Sequence, residues 1–287
     1  MSPFADKVRP LEARVKPVEL LATAGDLNYD RAGDLTGMYR SVCTQAIVLR
    51  RERLGEFHKS LALLTEDRGL VYATAYGAYK THSRLRLGSE PFTFSLARLY
   101  NNPVRQSFKV MELEIRETFG SLTGELSRIT AASLWAEVVL KSYGAGETSD
   151  RLFKLFLESL RALDRVDARS EPYVTIQFLW RFLALAGYQP DLESCGRCGA
   201  ALAERTAGYL ATDNAFVCAG CDPSGENRLP PGALRYLAAS SRAAFDNAVE
   251  ITLEPAGLRA LRRGLPLMAQ AVLEGELVTL RQAGAAS

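Results

Sequence analysis

The runs CTQAIVLR (residues 43–50), FHKSLALLT (57–65) and LVYATAYGA (70–78) follow one another with only short polar breaks between them. Short apolar runs bounded by turn residues are typical of β-strands. The second break, Glu66-Asp67-Arg68-Gly69, has the composition of a hairpin turn. This stretch therefore predicts three consecutive strands joined by tight turns.

Two further strands are predicted downstream. Residues 92–100 alternate apolar and small polar side chains, as a strand with one buried face does. Asn101-Asn102-Pro103 then turns the chain into a strand over 107–114, whose apolar phase slips between Val110 and Met111. Such a slip indicates a β-bulge or the end of the strand. Five short strands within about 70 residues favour a small closed barrel, with the OB-fold as the obvious candidate.

After residue 115 the apolar spacing changes from two to about three and a half, which predicts helices. Helices are expected over 130–143 and 150–163, and from Pro172 to a stop at Gly187. Pro230-Pro231 is expected to open a helix that runs through Phe245. The last pair of helices should break near Gly264 and Pro266.

These patterns predict an α+β multidomain chain, with a five-stranded OB-fold barrel over residues 41–116 and a helical domain over 117–287. A four-cysteine module at 192–224 is inserted in the helical domain. Residues 1–40 are weakly patterned and interrupted by prolines. We expect this extension to be poorly ordered and assign it no function.

Four of the five cysteines form two C-x-x-C pairs, Cys195/Cys198 and Cys218/Cys221, with nineteen residues between the pairs. This double spacing suits one tetrahedral zinc ion, the predicted cofactor. Two disulfides or two redox pairs are the rival interpretations. Four thiolates would close the coordination shell, so a zinc ion here would be structural rather than catalytic.

Positive charge is concentrated in the barrel. Residues 46–110 carry eleven Lys or Arg against five Asp or Glu, although the whole chain has a net charge of only +2. A basic segment on an otherwise acidic chain indicates a localised surface for a polyanion. The alternative is a solvated strand surface that happens to be basic.

Composition argues against several classes of function. With 47% hydrophobic and 24% charged residues, the chain is ordinary for a globular protein, and no stretch approaches the roughly 20 apolar residues of a membrane helix. No secretory signal is recognisable, so a cytoplasmic protein is expected. The only histidines are His58 and His82, and no phosphate-binding G-x-x-x-x-G-K-[ST] motif occurs. We therefore predict that the chain is not an enzyme. Cys43 precedes an apolar run, and we expect it to be buried and to have no chemical role.

Three stretches together carry a family resemblance. They are VLRRERLGEFHKSLALLTEDRGLVYATAYGAYKTHSRL (48–85), PFTFSLARLYNNPVRQSFKVMELEI (91–115) and FLWRFLALAGYQPDLESCGRCG (178–199). Their content and the order of basic barrel, helical bundle and four-cysteine insertion resemble the bacterial recombination mediator family RecO. The likeness covers about residues 42–282.

The resemblance implies a DNA repair function. The family binds single- and double-stranded DNA, anneals complementary strands and helps replace single-strand-binding protein with the recombinase RecA at gaps. Its implied protein partners are RecR and the C-terminal tail of single-strand-binding protein, with RecA contacted indirectly, and its implied location is the cytoplasm, at the nucleoid. Zinc in this family would stabilise the fold.

The residues themselves suit contact with DNA. Lys and Arg can bind phosphates, and aromatic rings can stack on bases. The candidate contacts are Arg50, Arg51, Arg53, Lys59, Tyr76, Tyr79, Lys80, Arg84 and Arg86. The favoured hypothesis is a non-enzymatic DNA-binding mediator, and the alternative is a zinc-stabilised protein-interaction adaptor with weak or no DNA binding.

Overall fold

The computed structural model describes residues 41–102, 107–142, 149–222, 224–225, 228–273 and 275–285. The expectation for residues 1–40 lies outside the described residues. The first half contains five strands and one short helix: β1 Ser41–Leu54, β2 His58–Thr65, β3 Gly69–Ala75, α1 Leu85–Gly88, β4 Phe94–Asn102 and β5 Ser107–Glu117.

The five strands close into a barrel in the order β1-β2-β3-β5-β4, and β1 pairs with β4 to complete it. β3 and β5 are parallel, whereas the other neighbours are antiparallel. The interior is filled by small and branched apolar side chains, including Val48, Leu61, Leu63, Leu99 and Val110. The predicted five-stranded OB-fold barrel is confirmed.

Three register shifts interrupt the pairing of the barrel strands, at Met111, at Leu49 and between Phe94 and Ser95. Arg98 pairs with Glu112 and Leu99 with Val110, which leaves Met111 as an extra residue on β5. The predicted phase slip is therefore a bulge within a strand that continues to Glu117. A second irregularity lies at Leu49, after which β1 pairs only with β2 and runs four residues beyond the predicted end at Arg50.

The second half is helical around a two-stranded hairpin. Its elements are a 3-10 turn Gly120–Thr123, then α2 Leu126–Lys141, α3 Ser149–Arg165, α4 Glu171–Leu185, β6 Ala207–Leu210, β7 Ala215–Cys218, α5 Pro231–Arg242, α6 Phe245–Glu250, α7 Pro255–Val272 and α8 Val278–Ala285. Trp135 and Phe178 stack at 5.1 Å between ring centroids, and Phe156 meets both rings edge-on. This aromatic group is the centre of the helical core.

The predicted stop at Gly187 is confirmed. Gly187 has a φ of +76°, in the left-handed region that glycine adopts without strain. Its N–H donates to the Ala184 carbonyl, and the Tyr188 N–H donates to the Leu183 carbonyl at 2.8 Å. This pair of bonds is the usual glycine termination of a helix.

Among the differences from the predicted helices, two have a clear physical cause. α5 ends at Arg242, before Phe245, where the Arg181 guanidinium donates to the carbonyls of Ser240 and Ala243 and so satisfies the end of the helix. α7 runs unbroken through Pro266. Leu265 and Met268 are buried on either side of this proline, so packing outweighs the lost backbone hydrogen bond.

The barrel and the helices share one hydrophobic core. Ile47, Leu64 and Phe94 project from the barrel into the same buried cluster as the helical residues. The Phe94 ring meets Phe153 of α3 edge-on, with 6.0 Å between centroids. The described residues accordingly form one compact unit, and this packing holds one side of the barrel against α2 and α3.

Candidate metal centre and nucleic-acid interface

The four paired cysteines converge on one point. The sulfurs of Cys195, Cys198, Cys218 and Cys221 all lie within 4.8 Å of one another, and Cys198 and Cys218 Sγ are 3.8 Å apart. A tetrahedral ion with metal–sulfur bonds of about 2.3 Å requires sulfurs about 3.8 Å apart. All five cysteines are free thiols. The cluster can hold a metal ion, which favours a metal over the two-disulfide interpretation.

The β6–β7 hairpin brings the two cysteine pairs together. In each pair the backbone turns sharply: the Gly199 N–H donates to the Cys195 carbonyl, and the Cys221 N–H donates to the Cys218 carbonyl, both at 2.9 Å. Gly196 permits the close approach of the first turn to β7, because a Cβ there would lie 2.5 Å from Ala215 Cβ. The close packing of this turn against β7 therefore requires a residue without a side chain next to Cys195.

The sulfurs perturb one another's protonation. Burial raises the pKa of the Cys195 thiol, but the backbone N–H groups of Cys198, Cys218 and Arg197 donate to its sulfur and lower the pKa to about 6. The neighbouring Cys198 and Cys218 thiols raise the pKa of Cys221 to about 12. Four negative sulfurs cannot share so small a space without a cation, so full ionisation here requires a bound metal.

Asp222 supports the second cysteine turn and was not predicted from the sequence. Its carboxylate accepts from Arg228 Nε at 3.0 Å and from the N–H groups of Ser224 and Gly225. The Arg228 hydrogen bond is the main cause that lowers the Asp222 pKa to about 2. The side chain packs over β6 at Gly208, where a Cβ would lie 2.6 Å from its Oδ2. An acid directly after a C-x-x-C pair is the only sequence signal of this role.

Part of the predicted DNA-binding set forms one group at the end of the barrel. Arg51 Nη1 donates to the Tyr79 hydroxyl at 3.0 Å, and the Arg53 guanidinium lies over the Tyr79 ring, 5.5 Å from its centroid. Arg51 Nε also pairs with Glu90 at 2.9 Å. We call Arg51, Arg53, Tyr79 and Glu90 the arginine–tyrosine cluster.

Lys59 does not match its predicted role as a surface contact. Its side chain is buried beneath the arginine–tyrosine cluster, and its ammonium donates to Glu90 Oε1 at 2.8 Å, to Ser89 Oγ at 2.8 Å and to the Arg86 carbonyl at 3.2 Å. The ammonium is saturated by these partners and cannot reach a phosphate. Lys59 instead anchors the segment between β3 and β4 to the barrel.

Arg50 makes other contacts than that cluster, although it lines the same cleft as Arg51. Its guanidinium pairs with Glu52 at 3.2 Å, and its strand position is opposite Ala62, which in turn pairs with Tyr72. Arg50 and Tyr72 line a cleft of about 670 Å³ between the barrel and helices α2 and α8. Cys43, expected to be buried, is exposed on β1.

The remaining candidates are exposed on the segment after β3. Lys80, Arg84 and Arg86 have exposed side chains, and none forms an ion pair with a residue that the structure describes. Tyr76 is 48% exposed and contacts His58 and Lys109. Neither His58 nor Lys109 was predicted as a contact. For Lys109 the reason is that the parallel pairing of β3 with β5 has no local sequence signal.

The fold and the cysteine cluster define a class of protein: an OB-fold barrel packed on a helical domain that carries a candidate metal site. Two family models cover nearly all of this architecture. "Recombination protein O N terminal" matches residues 38–119, and "Recombination protein O C terminal" matches residues 124–281. The chain belongs to the RecO family of DNA repair proteins.

Curated relatives agree with this assignment. DNA repair protein RecO of Anaeromyxobacter sp. (strain K) is 33% identical over 214 residues, which span 75% of this chain and 79% of the relative. DNA repair protein RecO of Thermobifida fusca is 31% identical over 207 residues, spanning 71% and 83%. That of Desulforamulus reducens is 30% identical over 176 residues, spanning 61% and 67%.

Among the described helices, none has the length and apolar character needed to cross a bilayer.

Proposed function

We propose that this chain is a non-enzymatic mediator of DNA repair that binds single- and double-stranded DNA, anneals complementary strands and assists recombinase loading with RecR at gaps coated by single-strand-binding protein. The main observation in support of this proposal is the group of exposed basic side chains at one end of an OB-fold barrel. Lys80, Arg84 and Arg86 have no ionic partner among the described residues, so their charge is available to phosphate.

The arginine–tyrosine cluster gives this basic surface a fixed shape. Glu90 holds Arg51 on one oxygen and the buried Lys59 on the other. The segment that carries Lys80, Arg84 and Arg86 is therefore anchored to the barrel at both a charge pair and a cation–π contact. A surface held in one conformation loses less conformational entropy when it binds.

Annealing can proceed on such a surface without a catalytic residue. Two complementary strands repel each other through their phosphates, and Lys and Arg that neutralise these charges release counterions and lower the repulsion. The protein then only has to leave the base edges free to pair. We infer that the barrel neutralises the backbone while the helices serve protein partners.

The metal in this proposal is one structural zinc ion held by Cys195, Cys198, Cys218 and Cys221. Four soft thiolates at tetrahedral spacing select zinc among the common divalent metals. The ion would cross-link the two cysteine turns. Because sulfur would fill all four coordination positions, none would be open to a substrate.

A groove on the helical domain supports the proposed contact with the tail of single-strand-binding protein. It encloses about 480 Å³ between α2, α4 and α7. Its lining is mostly apolar, with Leu134, Ile176 and Leu265 among the contacts, and Arg262 lies on it. An apolar groove with a cationic residue fits a peptide that ends in apolar and acidic groups.

The proposal is tested by charge reversal on the barrel. Lys80→Glu with Arg84→Glu should weaken binding of labelled single-stranded DNA at least tenfold at low salt, because two attractive contacts become repulsive. The matched control is Arg259→Glu with Arg263→Glu, two exposed arginines of α7 outside the barrel. Equal affinity of the two double variants would remove the barrel assignment. Negligible binding by the unmodified chain would favour the protein-interaction adaptor.

A further inference from the structure

Two exposed aromatic rings lie on segments of chain that are hydrogen-bonded to each other, the turn before β2 and the residues after β3. Phe57, in the turn between β1 and β2, is 42% exposed, and Tyr76, directly after β3, is 48% exposed. Each ring has a lysine over its face: Lys80 Nζ lies 5.8 Å from the Phe57 centroid, and Lys109 Nζ lies 5.7 Å from the Tyr76 centroid. Exposed aromatic rings paired with lysines supply the two contacts that a nucleotide needs.

The backbone holds these groups in place. His58 meets the Tyr76 ring edge-on at 5.1 Å, and its Nδ1 accepts the Gly77 N–H at 2.9 Å. The Tyr79 N–H donates to the Phe57 carbonyl at 3.1 Å, which ties the turn before β2 to the segment after β3. Two separate stretches of chain are thus bonded into one site.

Gly77 lets Lys80 reach the turn. Its φ of +69° reverses the chain, and a Cβ at this position would lie 3.6 Å from Lys80 Cδ. The lysine stem therefore packs along the glycine backbone and carries its ammonium toward Phe57. The ammonium stays exposed and is free to move from the ring to a phosphate.

Tyr79 has a different environment and a different role. Its ring is half-buried and already has two cations against it, Arg53 at 5.5 Å and Lys59 at 5.0 Å, while its hydroxyl accepts from Arg51. A base cannot stack where the buried lysine lies. Tyr79 therefore orders the basic surface, whereas Phe57 and Tyr76 are open to a ligand.

We propose that Phe57 and Tyr76 form a base-stacking subsite for single-stranded DNA, with His58 fixing the Tyr76 ring and with Lys80 and Lys109 binding the flanking phosphates. The inference rests on the DNA-binding function proposed above and adds a specificity: only unpaired bases can stack there, since the bases of a duplex are already stacked on one another. The position matches the strand 2–3 face and the first loop that OB-folds use for oligonucleotides.

The test separates bases from phosphates. Affinity is measured for a labelled thymidine oligonucleotide, for an abasic oligonucleotide of the same length and for a duplex. The unmodified chain should bind the thymidine strand more tightly than the abasic strand, and Phe57→Ala with Tyr76→Ala should remove most of this preference. Losing one stacked base costs about fivefold or more in affinity. Abasic and duplex binding should change less than twofold.

Controls keep the outcomes distinct. Phe57→Leu with Tyr76→Leu retains apolar volume without a ring and should behave as the alanine pair does, which excludes an effect of folding. If the unmodified chain binds all three DNAs and the double variants keep the full preference for the thymidine strand, the stacking subsite is wrong while the DNA-binding function stands. If the unmodified chain binds none of the three, both proposals fail.

Discussion

Lys59 and Lys80 carry the same charge on the same barrel and have opposite environments. Lys59 follows the inward phase of β2 and ends among Glu90, Ser89 and the Arg86 carbonyl, whereas Lys80 is exposed. Lysine is almost never buried unless it is paired. The sequence shows the lysine and the alternation of β2, but its partners lie about thirty residues downstream. For this reason the buried lysine could not be told from its exposed neighbours.

This contrast predicts opposite effects of one substitution. Lys59→Met removes three hydrogen bonds from an ammonium and should lower the free energy of unfolding by about 1–3 kcal/mol. Lys80→Met should leave the unfolding free energy within about 0.5 kcal/mol and weaken DNA binding instead. Urea denaturation and DNA titration of both variants provide the check. A stable Lys59→Met protein with impaired DNA binding would show that Lys59 is a surface contact after all.

The cysteine cluster leads to a second prediction. Cys195→Ser should reduce the zinc content from about one ion per chain to near zero, measured with a colorimetric chelator after denaturation. A ligand present at about 1,000 times its dissociation constant stabilises the native state by about 4 kcal/mol, so the variant should also melt at a lower temperature. Cys43→Ser, on the exposed fifth cysteine, is the control and should change neither quantity.

The DNA affinity of the same variant tests whether the zinc module and the barrel have separate roles. Wherever Cys195→Ser still folds, its affinity for DNA should stay close to that of the unmodified chain. A folded, zinc-free variant that has lost all DNA binding would contradict this division of roles.

Sequence patterns correctly predicted those features of helices and strands that depend on neighbouring residues in the chain. The bulge at Met111 and the glycine stop of α4 depend on residues within a few positions of one another. The end of α5 and the continuity of α7 through Pro266 depend on packing and on Arg181 from another helix. Tertiary contacts decided these two boundaries, and no sequence window contains them.

The end of α4 can be tested directly. Gly187 has a φ of +76°, and no heavy atom lies within 4 Å of the position that a Cβ would take, so Gly187→Ala imposes backbone strain without a clash. We expect a loss of about 1–2 kcal/mol in unfolding free energy. Gly124 has open space too but a φ of −99°, so Gly124→Ala should be neutral or slightly stabilising. Equal effects of the two changes in urea denaturation would contradict the role assigned to Gly187.

At the scale of the whole molecule, the shared core links the stability of the barrel to that of the helices. Both tryptophans, Trp135 and Trp180, are buried in the helical part. Phe94→Ala removes a barrel side chain that packs on Phe153 and should cost about 3–5 kcal/mol. The tryptophan fluorescence transition should therefore shift to lower urea, although the substitution is in the barrel. Leu87→Ala, at a residue that is 70% exposed, should not move it.

A separate result would show that the barrel folds on its own. If Phe94→Ala produces a new early transition by circular dichroism and leaves the tryptophan transition in place, the two parts unfold independently. The shared cluster of Ile47, Leu64 and Phe94 with the helical residues predicts a single transition.

A salt series tests whether the basic end of the barrel binds nucleic-acid phosphates. Fluorescence anisotropy of a labelled single strand is measured from about 50 to 300 mM salt, and the slope of log affinity against log salt is about −0.7 for each phosphate neutralised. About three to six contacts from Arg51, Arg53, Lys80, Arg84, Arg86 and Lys109 predict a slope of about −2 to −4. Negligible binding at the lowest salt, or an affinity that does not change with salt, would show that the barrel does not bind DNA through phosphate contacts.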